Sequence, residues 1–198
     1  MKRKSILYLV AGANGAGKTT SSFEVLPEIL KCKEYINADA IANALSPFNP
    51  ESVSLEAGKI LLKRIDKLIS EKSDFAFETT LASRSIMNII KKARASEYKI
   101  IILFFYLNSY RIAINRVRSR VITGGHNIPN DVIKRRYFRG VYNLMYFYKN
   151  ECDYCLIVNN SGTKPELIAE LKNNSTQILN IYSETEWKNL INYAKEKK

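Results

Sequence analysis

The apolar residues of this chain gather in five short runs, and stretches with helical spacing separate them. The runs are Ile6–Ala11, Tyr35–Asn37, Phe75–Phe77, Ile100–Leu107 and Cys155–Val158. Several are continuously apolar, which is typical of parallel strands covered on both faces. Alternation of strand with helix therefore predicts an α/β fold with a parallel sheet.

The helical spacing covers about 17–31, 51–70, 84–96, 110–121 and 130–149. Leu55, Ile60 and Ile65 belong to one broad apolar face of the second helix, and Asn130 is a plausible N-cap of the last. Segments 166–171 and 176–181 could be short strands before a terminal helix at 184–195. No linker or repeat divides the 198 residues, so we expect a single domain.

A phosphate-binding loop follows the first apolar run directly. The sequence from Gly12 to Thr19 fits G-x-x-x-x-G-K-T, and its residues are Gly12, Ala13, Asn14, Gly15, Ala16, Gly17, Lys18 and Thr19, with Thr20 next. Glycines let the backbone N–H groups turn toward phosphate oxygens, and the following helix offers its positive end. Lys18 is expected to reach the β- and γ-phosphates, and Thr19 to hold Mg²⁺. The alternative is a glycine-rich turn that fits the motif by chance.

Composition bears on two further questions, the binding of nucleic acid and the role of the cysteines. The chain has 31 Lys and Arg against 19 Asp and Glu, a net charge of +12. This could indicate nucleic acid binding, but no nucleic-acid module is recognisable, so we favour a basic surface on an enzyme for anionic substrates. The three cysteines are Cys32, Cys152 and Cys155, an odd count that argues against a disulfide framework. Cys152 and Cys155 form C-x-x-C, but no second pair or His partner follows for a zinc site, so packing is their expected role.

The N-terminus imitates a short signal peptide, with basic residues at 2–4 before an apolar run. Cleavage there would destroy the phosphate-binding loop, so we expect a cytoplasmic protein. No stretch approaches the ~20 apolar residues of a membrane span.

The motifs that the chain lacks narrow the class of protein to which this phosphate-binding loop, or P-loop, belongs. The chain lacks N-K-x-D for guanine recognition and L-S-G-G-Q of transporters, which leaves the small kinases. Acidic residues follow two strands, Asp39 and Glu78, at the sheet edge where α/β ligands bind. A kinase needs a carboxylate to orient the acceptor hydroxyl and polar groups to hold the acceptor. Asp39 and Glu78, with Thr79 and Thr80, could fill these roles. Two alternatives stay open: Asp39 as a helix N-cap, and Glu78 as an organiser of Mg²⁺ through water.

Arginines concentrate in the stretch 110–149, which we interpret as a lid. In the first helix of this stretch Arg116 and Arg120 share a face, while Arg118 points elsewhere. In the second helix Arg136 flanks the apolar stripe, and Arg135 and Arg139 share a different face. Arginines over a triphosphate would neutralise transition-state charge, and Gly124 and Gly125 would let the lid move. The alternative is a solvated basic helix pair. His126, the one histidine, is expected to be an ordinary surface residue.

Together these motifs resemble the zeta toxin family of P-loop kinases, in its compact bacterial branch. The resemblance covers about residues 5–160 and rests on the stretches 11–20, 37–39, 45–50, 75–81 and 124–129 with Arg135 and Arg136. It implies transfer of the ATP γ-phosphate, with Mg²⁺, to a hydroxyl of a UDP-activated amino sugar such as UDP-N-acetylglucosamine, and it implies a toxin held by an antitoxin protein.

The resemblance also implies roles for single residues. Asp39 corresponds to the catalytic base, Glu78 with Thr79 or Thr80 to the substrate-binding pair beside Asn37, and Lys18 with two lid arginines to the γ-phosphate ligands. The lid sequence departs from that of the larger toxins, so the arginines are not fixed by it; we expect Arg120 and Arg136 to be catalytic, with Arg135 and Arg139 as alternatives, and Arg116 to contact the nucleotide. The expected architecture is a five-stranded parallel sheet of order 2-3-1-4-5, sandwiched by helices and carrying an arginine-bearing lid at about 110–149.

Overall fold

A computed structural model of the protein describes residues 3–122, 125, 127–172 and 177–196. The strands are β1 (Ile6–Gly12), β2 (Glu34–Ile36), β3 (Phe75–Thr79), β4 (Lys99–Tyr106), β5 (Tyr154–Asn159), β6 (Glu166–Lys172) and β7 (Gln177–Ile181). The α-helices are α1 (Lys18–Glu24), α2 (Ala38–Leu45), α3 (Ser54–Ser70), α4 (Ile86–Ala95), α5 (Tyr110–Ile122), α6 (Asn130–Tyr146) and α7 (Glu184–Lys195). In this part of the chain no helix is both long and apolar enough to cross a membrane.

The strands form one sheet in the order β2-β3-β1-β4-β5-β6-β7. The first five are parallel, so the predicted order 2-3-1-4-5 is confirmed. The predicted count of five is wrong, because β6 and β7 extend the sheet as antiparallel strands. An antiparallel strand needs only a short connection, and residues 160–165 suffice to turn the chain from β5 into β6.

The middle strand of the five parallel ones is β1, which is covered on both faces. Leu7, Leu9 and Val10 have no solvent exposure, which is why this strand is a continuous apolar run in the sequence. Burial in the centre fixes the strand, and the loop that leaves its carboxyl end is therefore held by the most rigid part of the fold.

Three details of the helices differ from the sequence prediction. The first helix ends at Glu24 and continues as a π-helical turn, Val25–Ile29, which contains Pro27; proline has no N–H to continue an α-helix. Leu55 and Ile60 are exposed, so they do not belong to the buried face of α3. Pro129 precedes α6 and Asn130 is its first helical residue, so Asn130 is not the N-cap.

The predicted lid corresponds to α5 and α6. Short 3-10 turns, Pro50–Val53 and Tyr148–Asn150, precede α3 and follow α6. Helix α6 packs against α5 and α7 and reaches the end of β1, so the lid arginines are brought toward the carboxyl edge of the sheet. That edge is where the candidate site lies.

Candidate active site

The loop between β1 and α1 has the backbone that a phosphate cradle requires. Gly12 has φ +143° and Gly17 has φ +79°, conformations that side chains rarely adopt. A Cβ at Gly12 would also collide with the carbonyl oxygen of Phe105, and one at Gly17 with the side chain of Asn160. The strand, the loop and the helix are therefore present as predicted, which argues against a chance match to the motif.

Lys18, the first residue of α1, is 5% exposed. Its Nζ donates to the carbonyl oxygen of Ala13 over 2.9 Å and lies 3.3 Å from Oε1 of Glu78. Burial lowers the pKa of Lys18 from its ordinary value; the negative charge of Glu78 opposes that shift and the guanidinium of Arg120 adds to it. Lys18 is therefore a buried cation at the carboxyl end of the phosphate-binding loop.

The carboxylate of Glu78 is the centre of a hydrogen-bond network. Its Oε2 accepts from the hydroxyl of Thr19 at 2.7 Å, from the hydroxyl of Tyr35 at 2.5 Å and from Nδ2 of Asn37 at 2.9 Å. The register of the sheet places Glu78 here, because Glu78 of β3 pairs with Val10 of β1, close to the P-loop. Glu78 therefore faces the P-loop lysine and threonine, as an organiser of the metal side would.

Asn37 begins α2 and positions Asp39. The Oδ1 of Asn37 accepts from the backbone N–H groups of Asp39 at 2.8 Å and Ala40 at 3.2 Å, so Asn37 is the N-cap of the helix. The alternative that Asp39 is the cap is wrong. Asp39 lies in the first turn, with its side chain exposed.

A cavity of about 370 Å³, which we call the transfer cavity, joins these elements. It brings together eight of the residues predicted from the sequence: Asn14, Lys18, Asn37, Asp39, Glu78, Thr79, Thr80 and Arg136. The lining combines the P-loop lysine with hydroxyl and carboxylate groups. A donor and an acceptor could meet in this arrangement.

The lid arginines fall into two groups. Arg136 donates from Nη1 to Oδ1 of Asn14 over 3.2 Å and lines the transfer cavity with Arg135 and Arg139. Arg135 and Arg139 are one helical turn apart and Arg136 is offset from them, yet all three line this cavity. Arg120 is exposed and does not line it, although its charge acts on Lys18.

Arg116 has a different partner from the one expected. Its guanidinium donates to the carbonyl oxygens of Asn160 at 2.7 Å and Ser161 at 3.1 Å, in the loop after β5. Asn160 in turn donates from Nδ2 to the carbonyl oxygen of Ala16 over 2.8 Å. Arg116 is thereby bound to a loop that supports the P-loop, and a direct nucleotide contact stays a prediction.

Two residues of the site were missed by sequence reasoning. Tyr35 was assigned only to a strand, and Asn160 was not considered. Neither has a motif signal; parallel strand order alone could have suggested Tyr35, because β2 and β3 are neighbours and Ile36 pairs with Phe77. Thr20 is exposed on α1. Gly124 and His126 lie outside the described residues, whereas the N–H of Gly125 donates to the carbonyl oxygen of Arg120 over 2.8 Å.

The donor groups present fit a magnesium ion. Mg²⁺ prefers a few hard oxygen ligands together with phosphate oxygens, and the Thr19 hydroxyl and the Glu78 carboxylate lie 2.7 Å apart beside the loop. Among the described residues, no group of three or more His, Cys, Asp or Glu side chains could hold a metal ion.

Comparison with known proteins agrees with this geometry. A sequence model of the zeta toxin family matches residues 1–168. The chain belongs to the zeta toxin family. An uncharacterized protein of Haemophilus influenzae (strain ATCC 51907 / DSM 11121 / KW20 / Rd) is 31% identical to this zeta toxin family member over 139 residues, which are 69% of this chain and 94% of the relative.

Two solved structures have a similar fold to this zeta toxin family member. One describes the PezAT chromosomal toxin–antitoxin system of Streptococcus pneumoniae (TM-score 0.67, 16% identity, 99% of this chain and 89% of that chain). The other is the AvrRxo1-ORF1:-ORF2 complex with ATP (TM-score 0.74, 13% identity, 96% of this chain). This chain spans 64% of the length of the AvrRxo1 chain.

Family membership confirms the enzyme class predicted from the sequence, a phosphotransferase that acts on hydroxyl groups. The fold similarities agree with the α/β architecture and the parallel core of the sheet.

Proposed function

We propose that this protein transfers the γ-phosphate of ATP to a hydroxyl group of a UDP-activated amino sugar, such as UDP-N-acetylglucosamine. The observation that carries the proposal is the transfer cavity, where Lys18 and Asp39 line the same space of about 370 Å³. Phosphoryl transfer is mostly positioning and charge neutralisation, and this space is lined by both a buried cation and an exposed carboxylate. The presence of ATP in the similar AvrRxo1 complex supports ATP as donor.

In this mechanism Lys18 and the backbone N–H groups of the P-loop hold the phosphates, and Arg136 neutralises charge on the group in transfer. Asp39 accepts the proton of the acceptor hydroxyl as that oxygen attacks the γ-phosphorus, and ADP leaves. Thr79 and Thr80 hold the acceptor by their hydroxyl groups. Thr19 and Glu78 would hold Mg²⁺, which when bound neutralises charge between the β- and γ-phosphates.

The hydrogen bonds of Glu78 favour one of its two predicted roles. Its Oε2 accepts from Thr19 and its Oε1 lies 3.3 Å from Lys18, so the carboxylate is turned toward the two P-loop residues expected beside the phosphates and Mg²⁺. We therefore propose Glu78 as the metal-side carboxylate, and Asp39 with the two threonines as the acceptor side.

The test uses γ-labelled ATP, Mg²⁺ and a panel of UDP-sugars and other metabolites, with the labelled product identified by mass spectrometry. Asp39→Asn should lower the rate of transfer by about 100- to 10,000-fold, the range that general base catalysis supplies, and should leave ATP binding unchanged. Asp66→Asn is the matched control, because Asp66 is an exposed carboxylate of α3 paired with Lys92. Full activity of Asp39→Asn would refute the base, and a label on other metabolites alone would refute the acceptor.

We also propose that the protein is toxic and is held by an antitoxin protein, as the toxin–antitoxin neighbour from S. pneumoniae suggests. Induced expression in a bacterial host should stop growth with the wild-type chain and not with Asp39→Asn. Equal growth arrest by both chains would show that the toxicity does not come from phosphoryl transfer.

A further inference from the structure

Asn14 lies in the phosphate-binding loop at a position where the motif G-x-x-x-x-G-K-T leaves the residue type open. Backbone N–H groups of such a loop hold the phosphates, so the cradle itself does not need a polar side chain here. Ala13 and Ala16, at two other open positions, are small and buried. Asn14 is only half-buried and lines the transfer cavity, so its amide is available to another group.

The amide of Asn14 bonds to an arginine of α6. Its Oδ1 accepts from Nη1 of Arg136 over 3.2 Å. Arg135 and Arg139 line the transfer cavity as well, but within the described ranges Arg136 is the one of the three that has a hydrogen bond to the P-loop. Asn14 therefore distinguishes one arginine of the cavity from its two neighbours.

The backbone on the Asn14 side of this bond is held in place. The carbonyl oxygen of Ala13 accepts from Nζ of Lys18 over 2.9 Å. Gly15 has φ +76°, and a Cβ there would lie 2.6 Å from the carbonyl oxygen of Ala113 in α5. The residues before and after Asn14 are thus fixed by close contacts, so the loop presents the Asn14 side chain in one place.

The helix on the Arg136 side is also held in place. Ile133 and Tyr137, one turn before Arg136 and directly after it, are buried. The hydroxyl of Tyr137 donates to the carbonyl oxygen of Leu107 over 2.6 Å. With the backbone of α6 fixed, the freedom that remains is that of the arginine side chain, which is among the most flexible side chains.

The bond to Asn14 limits this freedom without consuming the guanidinium. The group has five N–H donors in one plane, and Asn14 engages one nitrogen. Donors on the other nitrogens remain for phosphate oxygens, which guanidinium groups bind through paired hydrogen bonds. A neutral amide suits this place, because a carboxylate would repel the phosphates and compete with them for Arg136.

We propose that Asn14 is a positioning residue, which orients the guanidinium of Arg136 toward the γ-phosphate during transfer. The inference rests on the proposed function, in which Arg136 neutralises charge on that group. ATP binding itself relies on the backbone N–H groups of the loop and on Lys18. An arginine that is oriented before the reaction loses less freedom in the transition state, so the effect of Asn14 falls on kcat.

The experiment measures the steady-state kinetics of UDP-sugar phosphorylation and the binding of ATP by calorimetry. Asn14→Ala should lower kcat by about tenfold, since a hydrogen bond to a charged group is lost, and should leave ATP affinity and the acceptor KM unchanged. Asn14→Gln keeps an amide oxygen and should recover part of kcat. Asn88→Ala, the same change at an exposed asparagine of α4, is the matched control and should have no effect.

A double-variant cycle separates positioning from a structural role. Asn14→Ala combined with Arg136→Ala should be no slower than Arg136→Ala alone, because no arginine is left to orient. A further loss of about tenfold in the double variant would overturn the inference, since the two effects would then be independent. Wild-type kcat in Asn14→Ala, or equal losses of ATP affinity and kcat, would overturn it as well.

A second measurement does not depend on the acceptor. ADP with Mg²⁺ and aluminium fluoride imitates the phosphoryl group in transfer, and Asn14→Ala should bind this mixture about tenfold more weakly, with binding of ADP alone unchanged. If the wild-type chain phosphorylates no UDP-sugar, the proposed function fails and this binding still tests Asn14. If UDP-sugars are phosphorylated and Asn14→Ala binds the mixture as tightly as the wild-type chain, only the positioning role fails.

Discussion

The hydroxyl of Tyr35 donates a hydrogen bond of 2.5 Å to Oε2 of Glu78. The same oxygen accepts from Thr19, so the phenol holds the carboxylate toward the P-loop hydroxyl. Burial raises the pKa of Tyr35 above its ordinary value, with the Glu78 charge adding to the shift, and the phenol stays a donor throughout the usual pH range.

Tyr35→Phe should therefore raise the Mg²⁺ concentration needed for half-maximal activity by about tenfold, since a hydrogen bond to a charged group is lost. Titration of Mg²⁺ against ADP binding and against activity measures the effect. Tyr182→Phe, at an exposed tyrosine, is the control. An unchanged Mg²⁺ dependence in Tyr35→Phe would contradict a positioning role for the phenol.

Gly140 of α6 lies against the backbone of Thr80, a residue of the acceptor side of the transfer cavity. A Cβ at this position would lie 2.5 Å from the carbonyl oxygen of Thr80. Gly140→Ala should lower the free energy of unfolding by ~1–3 kcal/mol, the usual cost of overpacking, and should reduce transfer. Gly58→Ala is the matched control: a Cβ there meets nothing within 4 Å in α3, so it should raise that free energy by ~0.5–1 kcal/mol. Denaturant unfolding measures both, and equal stabilities would disprove the tight contact.

Arg136 should matter more for catalysis than Arg120. Arg136 lines the transfer cavity and bonds to Asn14 of the P-loop, whereas Arg120 is exposed outside it. Arg136→Ala should lower kcat by about 1,000-fold or more, as the loss of an arginine finger does. Arg120→Ala should have a smaller effect and Arg118→Ala none. A larger loss of kcat in Arg120→Ala than in Arg136→Ala would reverse this assignment.

Asn160 should affect the nucleotide without touching the acceptor. Its amide supports the carbonyl oxygen of Ala16, and Asn160→Ala removes this single neutral hydrogen bond. ATP affinity should fall about five- to tenfold while KM for the acceptor stays constant. Asn180→Ala, at an exposed position of β7, serves as control in the same calorimetric titration. A selective change in the acceptor KM would contradict this prediction.

The three thiol groups should be unreactive in the native protein. Cys32, Cys152 and Cys155 are buried and free. Burial raises the pKa of Cys32 to about 11, and a hydrogen bond with Cys152, together with burial, raises the pKa of Cys155. A raised pKa leaves less thiolate near pH 8, so a thiol reagent should react slowly before unfolding and rapidly with all three cysteines in denaturant. Rapid labelling of the native chain would contradict the packed environment.

The parallel strands and the P-loop could be predicted because each rests on a local pattern, whereas the order of the strands was expected from the family resemblance. β1 is a continuous apolar run, and the loop glycines are needed for backbone geometry that no other residue provides. The two antiparallel strands were expected from the sequence only as possible short strands, because charged residues flank the short apolar run of β6.

The candidate site was predictable where a motif fixed the residue and not where tertiary packing did. Asp39 and Glu78 follow from their position at strand ends, but the choice of partner for Glu78 depends on the register of β2 with β3. The arginines of α5 and α6 could be counted in the sequence. Which of them reaches the cavity depends on how α6 packs, and at Gly140 this packing leaves no room for the methyl group of an alanine.

The bonds from Arg116 to the loop after β5, and from Asn160 to Ala16, connect α5, that loop and the P-loop into one body. Motion of α5 is then transmitted to the phosphate cradle instead of being absorbed by a hinge. Hydrogen bonds that hold a phosphate-binding loop in place reduce the conformational entropy that the loop loses when it binds a phosphate group, so the donor side of the proposed reaction begins from an ordered loop.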